Sequence, residues 1–389
     1  MSAKYYNFGY RIFGPFLYGY IKWLREKIIA NGDKKVFFFS RDGYIMQKAY
    51  ILFDEYNPLG LEHSYVYFSR NSLRRGLLWN CKNYEETLTY LSNDRFTNIA
   101  KLASFYGLGS KEIEPLIIKL DLGWDEWLLQ NKLKSNDKVK ILYEDFVHLI
   151  NERSREHFIT ITSYLRQIGL QEKCAIVDIG WNGTMQYYLD SLLEISGIDA
   201  ELNAYYVGVS SRMPHKGKAE GYVFNNLDQT QKKSLLCFLG GVEKLFQSFE
   251  GSTDKYTSDN GVIKPLLKPY EYEGDDQIKG YIKELQEGAL DYVKYGLSNC
   301  ISFERENDAY SKLIHFGKCP SYSDTQMFRF FYVADGGSRQ FFLPQKPIFR
   351  YRPKEFALAL SNSIWKTGFL KAAFRIPFPY FYIYKMMSK

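Results

Sequence analysis

A serine, an arginine and an aspartate stand together at Ser40-Arg41-Asp42-Gly43, directly after the apolar run Val36-Phe37-Phe38-Phe39. A carboxylate at the end of an apolar strand suits general acid or base work, and a neighbouring guanidinium suits the holding of phosphate. Two further clusters have the same form. Ser69-Arg70-Asn71 follows the strand-like run Ser64–Phe68, and Asp178-Ile179-Gly180-Trp181-Asn182-Gly183-Thr184 follows Cys174–Val177. In the last of these, Gly180 and Gly183 permit close approach of the backbone. The helix expected from Met185 onward would present free N–H groups to a phosphate or diphosphate, capped by Asn182 or Thr184. Alternatively, the segment is an ordinary strand-to-helix turn, but Asp178 and Trp181 are surplus to that need.

The elements around these clusters alternate in a way that brings them together. The spacing predicts a helix over 16–30 stopped by Gly32, a strand over 36–39, a helix over 44–55 and a strand over 64–68. Strand, helix, strand is a βαβ unit, and strands apolar on both faces belong inside a parallel sheet. Residues 84–92, 96–106, 110–119 and 139–166 read as helices with polar faces, a helical insertion. Strands return over 174–177, 202–209 and 220–224. The stretch 229–249 reads as helix broken by Gly240-Gly241, and 250–275 as loops. Helices follow over 276–296 and 304–317. In such sheets ligands bind beyond the carboxyl ends of the strands, so the three clusters are expected to share one crevice.

The pattern over roughly 36–75 and 173–212 resembles the haloacid dehalogenase-like (HAD) superfamily, whose first motif is an apolar strand followed by Asp-x-Asp-Gly. Ser40 takes the place of the family's nucleophilic aspartate, and Asp42 keeps the place of its acid/base. Ser69 corresponds to the phosphate-binding Ser or Thr of the second motif. Asp178 corresponds to the acidic fourth motif, which implies Mg²⁺ as cofactor. The third-motif lysine is left open among Lys101, Lys119 and Lys140. A serine without an adjacent base is a poor nucleophile, so phosphatase chemistry by the family's usual route is not expected. The Ser-Arg-Asp-Gly and Val-Asp-Ile-Gly-Trp-Asn-Gly-Thr segments also resemble HAD-like proteins of bacterial surface-polysaccharide gene clusters. Some of these transfer 5-phosphoribose from phosphoribosyl diphosphate (PRPP) to a glycan.

That resemblance implies an α/β fold with a HAD-like, Rossmann-type parallel sheet, a helical insertion and a C-terminal extension. The divisions are 1–75 and 166–250 for the core, 76–165 for the insertion, 251–340 for a loop-rich and helical region, and 341–389 for the tail. It implies a glycosyltransferase of O-antigen or capsule assembly with Asp42 catalytic. Ser40, Arg41, Gly43, Ser69, Arg70, Gly180, Trp181, Asn182, Gly183 and Thr184 would bind the donor's phosphates, and Asp178 would hold Mg²⁺. PRPP is the expected donor and a lipid-linked glycan the expected acceptor. A divergent phosphatase and a non-catalytic partner of polysaccharide enzymes remain as alternatives. Arg70, Arg74 and Arg75 form either a phosphate clamp or a solvated face. Arg212, His215 and Lys216 form a cationic loop, and Glu243 and Glu250 flank a helix end as either a base or a surface face.

Composition narrows the setting. The 389 residues exceed one compact core, and 46% hydrophobic with 24% charged residues is globular. Tyr 33 and Phe 29 are high, which fits stacking on sugars, a membrane interface or an A·T-rich coding sequence. The five cysteines show no metal or disulfide spacing, and the histidines are isolated, so a reducing cytoplasm is expected. No signal peptide and no spanning helix are expected. From Phe341 onward nine basic residues oppose Glu355 alone, +8 of the net +7, which leaves −1 for the preceding 340 residues. A basic, aromatic tail interrupted by Pro377 and Pro379 is expected to lie on an anionic inner leaflet, or else to strap the core. Nucleic-acid binding is not expected, because the basic residues sit in that tail and in no recognisable module.

Overall fold

The structure is a computed structural model that describes residues 3–91, 96–210, 217–225, 228–335 and 338–387. Its centre is a five-stranded sheet made of β1 (Lys35–Phe39), β2 (Glu62–Val66), β3 (Glu172–Trp181), β4 (Ala200–Val209) and β5 (Ala219–Phe224). The order is β2-β1-β3-β4-β5 and every pair is parallel, a Rossmann-like α/β arrangement. The chain steps outward from β1 to β2, then returns past β1 to start β3. Connections leaving β1 and β3 in opposite directions open a crevice at their carboxyl ends.

Side chains alternate across each strand, so one apolar strand serves two cores. Val36 and Phe38 join Ala175, Val177, Tyr205 and Val207 on one face. That face is covered by α1 (Gly14–Asn31) and α2 (Gly43–Tyr56). Phe37 and Phe39 join Cys174, Ile176, Leu202 and Tyr206 on the other. There the sheet meets the C-terminal part of α3 (Asp137–Gln167) and α4 (Thr184–Ser196). Gly32 ends α1 in the left-handed region, its N–H donating to the carbonyls of Ile28 and Ile29.

Residues between Leu78 and Ile150 bury a hydrophobic cluster of their own. The 31-residue helix α3 serves both bodies. Val139, Leu142 and Ile150 lie in the insertion's cluster, while Ile161 and Leu165 lie under the sheet. One unbroken helix thus fixes how the insertion stands over the strand ends.

Several boundaries differ from expectation. The helix expected over 84–92 covers only Tyr84–Thr87 before a tighter turn, and the one expected from 96 starts at Ile99 behind the Asn98 cap. The stretch 229–249 breaks at Cys237-Phe238, and Gly240-Gly241 lie inside α5 (Leu239–Phe246). Those glycines serve packing: a Cβ on Gly240 would sit 2.6 Å from Ile364, and one on Gly241 2.0 Å from the Phe238 ring. Residues 253–267, expected as loop, form an antiparallel hairpin, β6 (Thr253–Asp259) and β7 (Val262–Leu267). Its turn is Asn260-Gly261, both at positive φ (50° and 81°), the pair favoured in tight hairpins.

The chain beyond α6 (Asp276–Ser298) ends in short helices anchored by Trp365, which is fully buried. Its indole N–H donates to the Gly317 carbonyl at 2.9 Å and its ring stacks on Phe316. Among the described residues no helix is long and apolar enough to cross a membrane. Truncating Trp365 to alanine leaves a large cavity, while the Gly317 carbonyl keeps the Thr367 hydroxyl as a donor at 2.6 Å. Urea denaturation is expected to show a loss of about 3–5 kcal/mol; a loss below about 1 kcal/mol would remove Trp365 as the anchor.

Candidate functional site

The strand β1 delivers Ser40 to the crevice by extending its ladder one residue: the Ser40 N–H donates to the Val66 carbonyl at 2.8 Å. The Ser40 hydroxyl donates to the Phe68 carbonyl at 3.1 Å. Its proton is therefore held by the backbone and not by a base. Arg41 follows at φ 74°, a left-handed conformation that costs a non-glycine residue about 1–3 kcal/mol. Three contacts hold it there. The Arg41 N–H donates to the Tyr65 hydroxyl at 2.8 Å, and that hydroxyl donates to Glu250 at 2.5 Å. The Ser248 N–H donates to the Arg41 carbonyl at 3.0 Å. Asp42 follows the bend and lines the crevice, its carboxylate making no capping bond to α2.

Asp178 arrives from the neighbouring strand. β3 does not stop at Val177 but runs to Trp181, so Asp178 is a buried strand residue. Its Oδ1 atom is buried without a hydrogen-bond partner. Gly180, Trp181 and Gly183 all have positive φ (93°, 77° and 69°), and they turn the chain into α4. Gly183 is the N-cap of α4, so neither Asn182 nor Thr184 caps it with a side chain, contrary to expectation.

Together these elements enclose a cavity of about 520 Å³. Ser40, Arg41, Asp42, Ser69, Arg70, Asp178, Asn182 and Thr184 line it, so the three clusters do converge. Arg74 and Lys101 add positive charge, Lys101 from the insertion. Of the three lysines left open, Lys119 is exposed and Lys140 pairs with Glu85 at 3.8 Å, so Lys101 is the one brought to the site.

Other expected residues have different work. Gly43 lets α2 start hard against β1: a Cβ there would lie 3.0 Å from the Phe38 carbonyl carbon. A Cβ on Gly180 would lie 2.5 Å from the Tyr206 side chain, and Trp181 stacks on Phe224 with centroids 6.1 Å apart. Gly43, Gly180, Trp181 and Gly183 shape the wall without lining it. Ser69 lines the cavity, but its hydroxyl caps the helix Arg70–Arg74 and donates to the Thr253 carbonyl at 2.7 Å. It fixes the loop to the hairpin more than it offers a free hydroxyl. Arg212, His215 and Lys216 lie outside the described residues.

Charge is concentrated here. Burial pushes Asp42 up to about 7, with the Asp178 charge adding to the effect and Arg41, Lys244 and Arg70 opposing it. Burial pushes Asp178 up to about 6, opposed by the backbone N–H groups of Ile179 and Gly180 and by Arg70 and Arg41. Glu243, on α5, is also raised, by burial and then by the Asp42 charge. Lys244 is almost wholly buried and pairs with Glu271, which also accepts from the Gln247 side chain at 2.6 Å and the Ala334 N–H at 3.2 Å. Arg41 stands 4.0 Å from the same Glu271. Glu250, flanking α5, is half-buried and forms the far end of the Tyr65 support for Arg41. Among the described residues no group of three or more His, Cys, Asp and Glu side chains is arranged to hold a metal ion.

No protein-family model matches the chain, and no curated protein matches it. The chemistry must be read from the cavity itself. It offers two carboxylates with elevated proton affinity beside a ring of cations, and that arrangement can bind an anionic ligand and exchange a proton near neutral pH.

Two outcomes are expected. Tyr65→Phe deletes the acceptor for the Arg41 N–H and frees the strained turn. Titration of inorganic diphosphate should show affinity weakened roughly tenfold, about the worth of one hydrogen bond, in a protein that still unfolds cooperatively. Equal affinity would mean the turn needs no such support. In Asp178→Asn the like charge facing Asp42 is gone, so Asp42 should lose its proton at lower pH than in the parent protein. Carboxyl ¹³C shifts followed against pH would reveal this, and an unmoved Asp42 titration would show that the two groups do not interact.

Proposed function

We propose that this protein is a glycosyltransferase of bacterial surface-polysaccharide assembly that moves 5-phosphoribose from PRPP to a glycan hydroxyl. The observation that carries the proposal is the composition of the cavity at the β1 and β3 ends. Asp42 and Asp178 face it together with Arg41, Arg70, Arg74 and Lys101. The donor carries a 5-phosphate and a diphosphate, and this cation set suits both. The HAD-like order of motifs at Ser40, Asp42, Ser69 and Asp178 supports the same reading, as does the likeness of the 40–43 and 177–184 segments to the phosphoribosyltransferases of such gene clusters.

In this reading Asp42 is the general base. The acceptor hydroxyl attacks the anomeric carbon of the ribose and its proton passes to the Asp42 carboxylate. The new C–O bond forms as the bond from carbon to diphosphate breaks, and diphosphate leaves with its electron pair. A base near neutrality is well matched to this step. Arg70 and Arg41 stabilise the charge that grows on the leaving diphosphate. Serine at position 40 fits the task, since a third carboxylate at that place would repel the diphosphate. The Ser40 proton on the Phe68 carbonyl argues against a nucleophilic serine, and with it against the phosphatase alternative.

The residues fit Mg²⁺ as a partner of the donor. The unpartnered Oδ1 of Asp178 is a ligand atom without a protein donor, and Mg²⁺ commonly takes one or two carboxylates together with substrate phosphates. Asp178 would hold the ion, which would neutralise diphosphate charge and leave the Asp42 carboxylate free for the acceptor.

The test is transfer itself. The full chain is incubated with PRPP, Mg²⁺ and disaccharide acceptors, and products are read by mass spectrometry. Gain of a phosphopentose is expected, and Asp42→Asn should slow it by roughly 10²–10⁴ while leaving donor binding in place. The rate should rise with pH through the neutral range as Asp42 loses its proton. Near-normal turnover in Asp42→Asn would remove it from the mechanism, and release of phosphate from a phosphosugar without transfer would favour a phosphatase.

A further inference from the structure

The C-terminal segment is neither a free tail nor wholly a strap. Tyr380 and Phe381 are buried, and Lys318 caps the Phe381 ring at 4.8 Å. From the last residue of the helix Lys366–Phe374 up to the helix Tyr380–Met387, the six residues 374–379 are all exposed. They read Phe-Arg-Ile-Pro-Phe-Pro, with Phe374, Ile376 and Phe378 on the surface (43%, 54% and 49% exposed). Arg375 takes a left-handed conformation at φ 62°, and Pro377 and Pro379 bar the chain from continuing as helix. The result is an apolar turn pushed outward and clamped at both ends.

This turn is continuous with a second exposed edge. Ring contacts run from Tyr351 to Phe356, Phe374, Tyr380 and Phe378, at centroid distances between 5.4 and 6.5 Å. Phe349, 81% exposed, stands two residues before Tyr351. The charge on this region is nearly all of one sign. Glu355, its one carboxylate, is paired with Lys346 at 2.7 Å. Arg350, Arg352, Lys354 and Arg375 are exposed beside the apolar residues.

We infer that this surface docks on an anionic lipid bilayer, with Phe374, Ile376 and Phe378 entering the headgroup boundary and Arg350, Arg352 and Lys354 meeting lipid charge. Exposed apolar side chains interleaved with unopposed cations are what an anionic membrane interface selects. The same charge of one sign would repel a second copy of this face. No described helix is apolar enough to span, so contact is superficial and reversible. This inference does not depend on the reaction assigned to the cavity.

Deleting the tail would be a poor test, since it removes buried Tyr380 and Phe381. Point variants are cleaner. Full-length protein is sedimented with vesicles of phosphatidylcholine alone, or of phosphatidylcholine mixed with phosphatidylglycerol. Binding is expected only with the anionic lipid, and added salt should weaken it. Arg350→Gln, Arg352→Gln and Lys354→Gln together should lower the partition coefficient roughly a hundredfold. Ile376→Ser with Phe378→Ser should also release the protein, and thermal unfolding should match the parent in both variants. Equal sedimentation with neutral vesicles, or undiminished binding by either folded variant, overturns the inference. So does a parent dimer in sedimentation velocity that Phe378→Ser dissociates, which would assign the surface to a second copy.

Discussion

Two carboxylates, Asp42 and Asp178, are held within electrostatic reach of one another where β1 and β3 end, and much of the surrounding structure answers the cost of that arrangement. Neighbouring buried carboxylates raise each other's proton affinity and must be opposed by cations. Arg41, Arg70 and Lys244 supply the opposing charge. Lys244 is itself buried, so it requires Glu271, and Glu271 is fixed in turn by Gln247 and the Ala334 N–H. The charge at the strand ends thus reaches through α5 into the chain after residue 270. A buried ion pair of this kind adds little net stability, whereas removing one partner strands the other. Its value lies in setting the field around Asp42.

Backbone conformation follows the same centre. Arg41, Gly180, Trp181 and Gly183 all adopt positive φ, and all lie where β1 or β3 leaves the sheet. Strain concentrated there is consistent with a site held in one geometry before its ligand arrives. The Glu250–Tyr65–Arg41 chain and the Ser248 N–H supply the restoring contacts. The hairpin β6–β7 performs a similar task for the next loop, since it accepts the Ser69 hydroxyl and buries Tyr256 against Tyr164. The insertion closes the opposite side with Lys101.

The parts of this arrangement visible in the sequence are those written in local pattern. An apolar strand broken by Ser-Arg-Asp-Gly marks both an inner strand and its carboxyl end, and the same logic locates Ser69 and Asp178. The convergence of the three follows from parallel topology alone. What the pattern does not carry is partnership over distance. Nothing in Tyr65 or Glu250 announces that they meet across 185 positions to hold Arg41. Lys101 is one surface-like lysine among several until α3 fixes the insertion over the cavity. The glycines mislead for a different reason: Gly43, Gly240 and Gly241 answer to tight packing, which from sequence looks the same as a turn. The hairpin had a readable sign in Asn260-Gly261, but its flanks lack the apolar alternation that would have made strands of them.

The central claim is that the two carboxylates and their cations form a site for a phosphorylated donor, and calorimetry tests it most directly. PRPP is titrated into the full-length protein with Mg²⁺, then into Asp178→Asn under the same conditions. The account predicts saturable binding to the parent at one site per chain, and a marked loss in Asp178→Asn that far exceeds any change in folding stability. Absence of binding to the parent, or identical affinity in the two proteins, would contradict it.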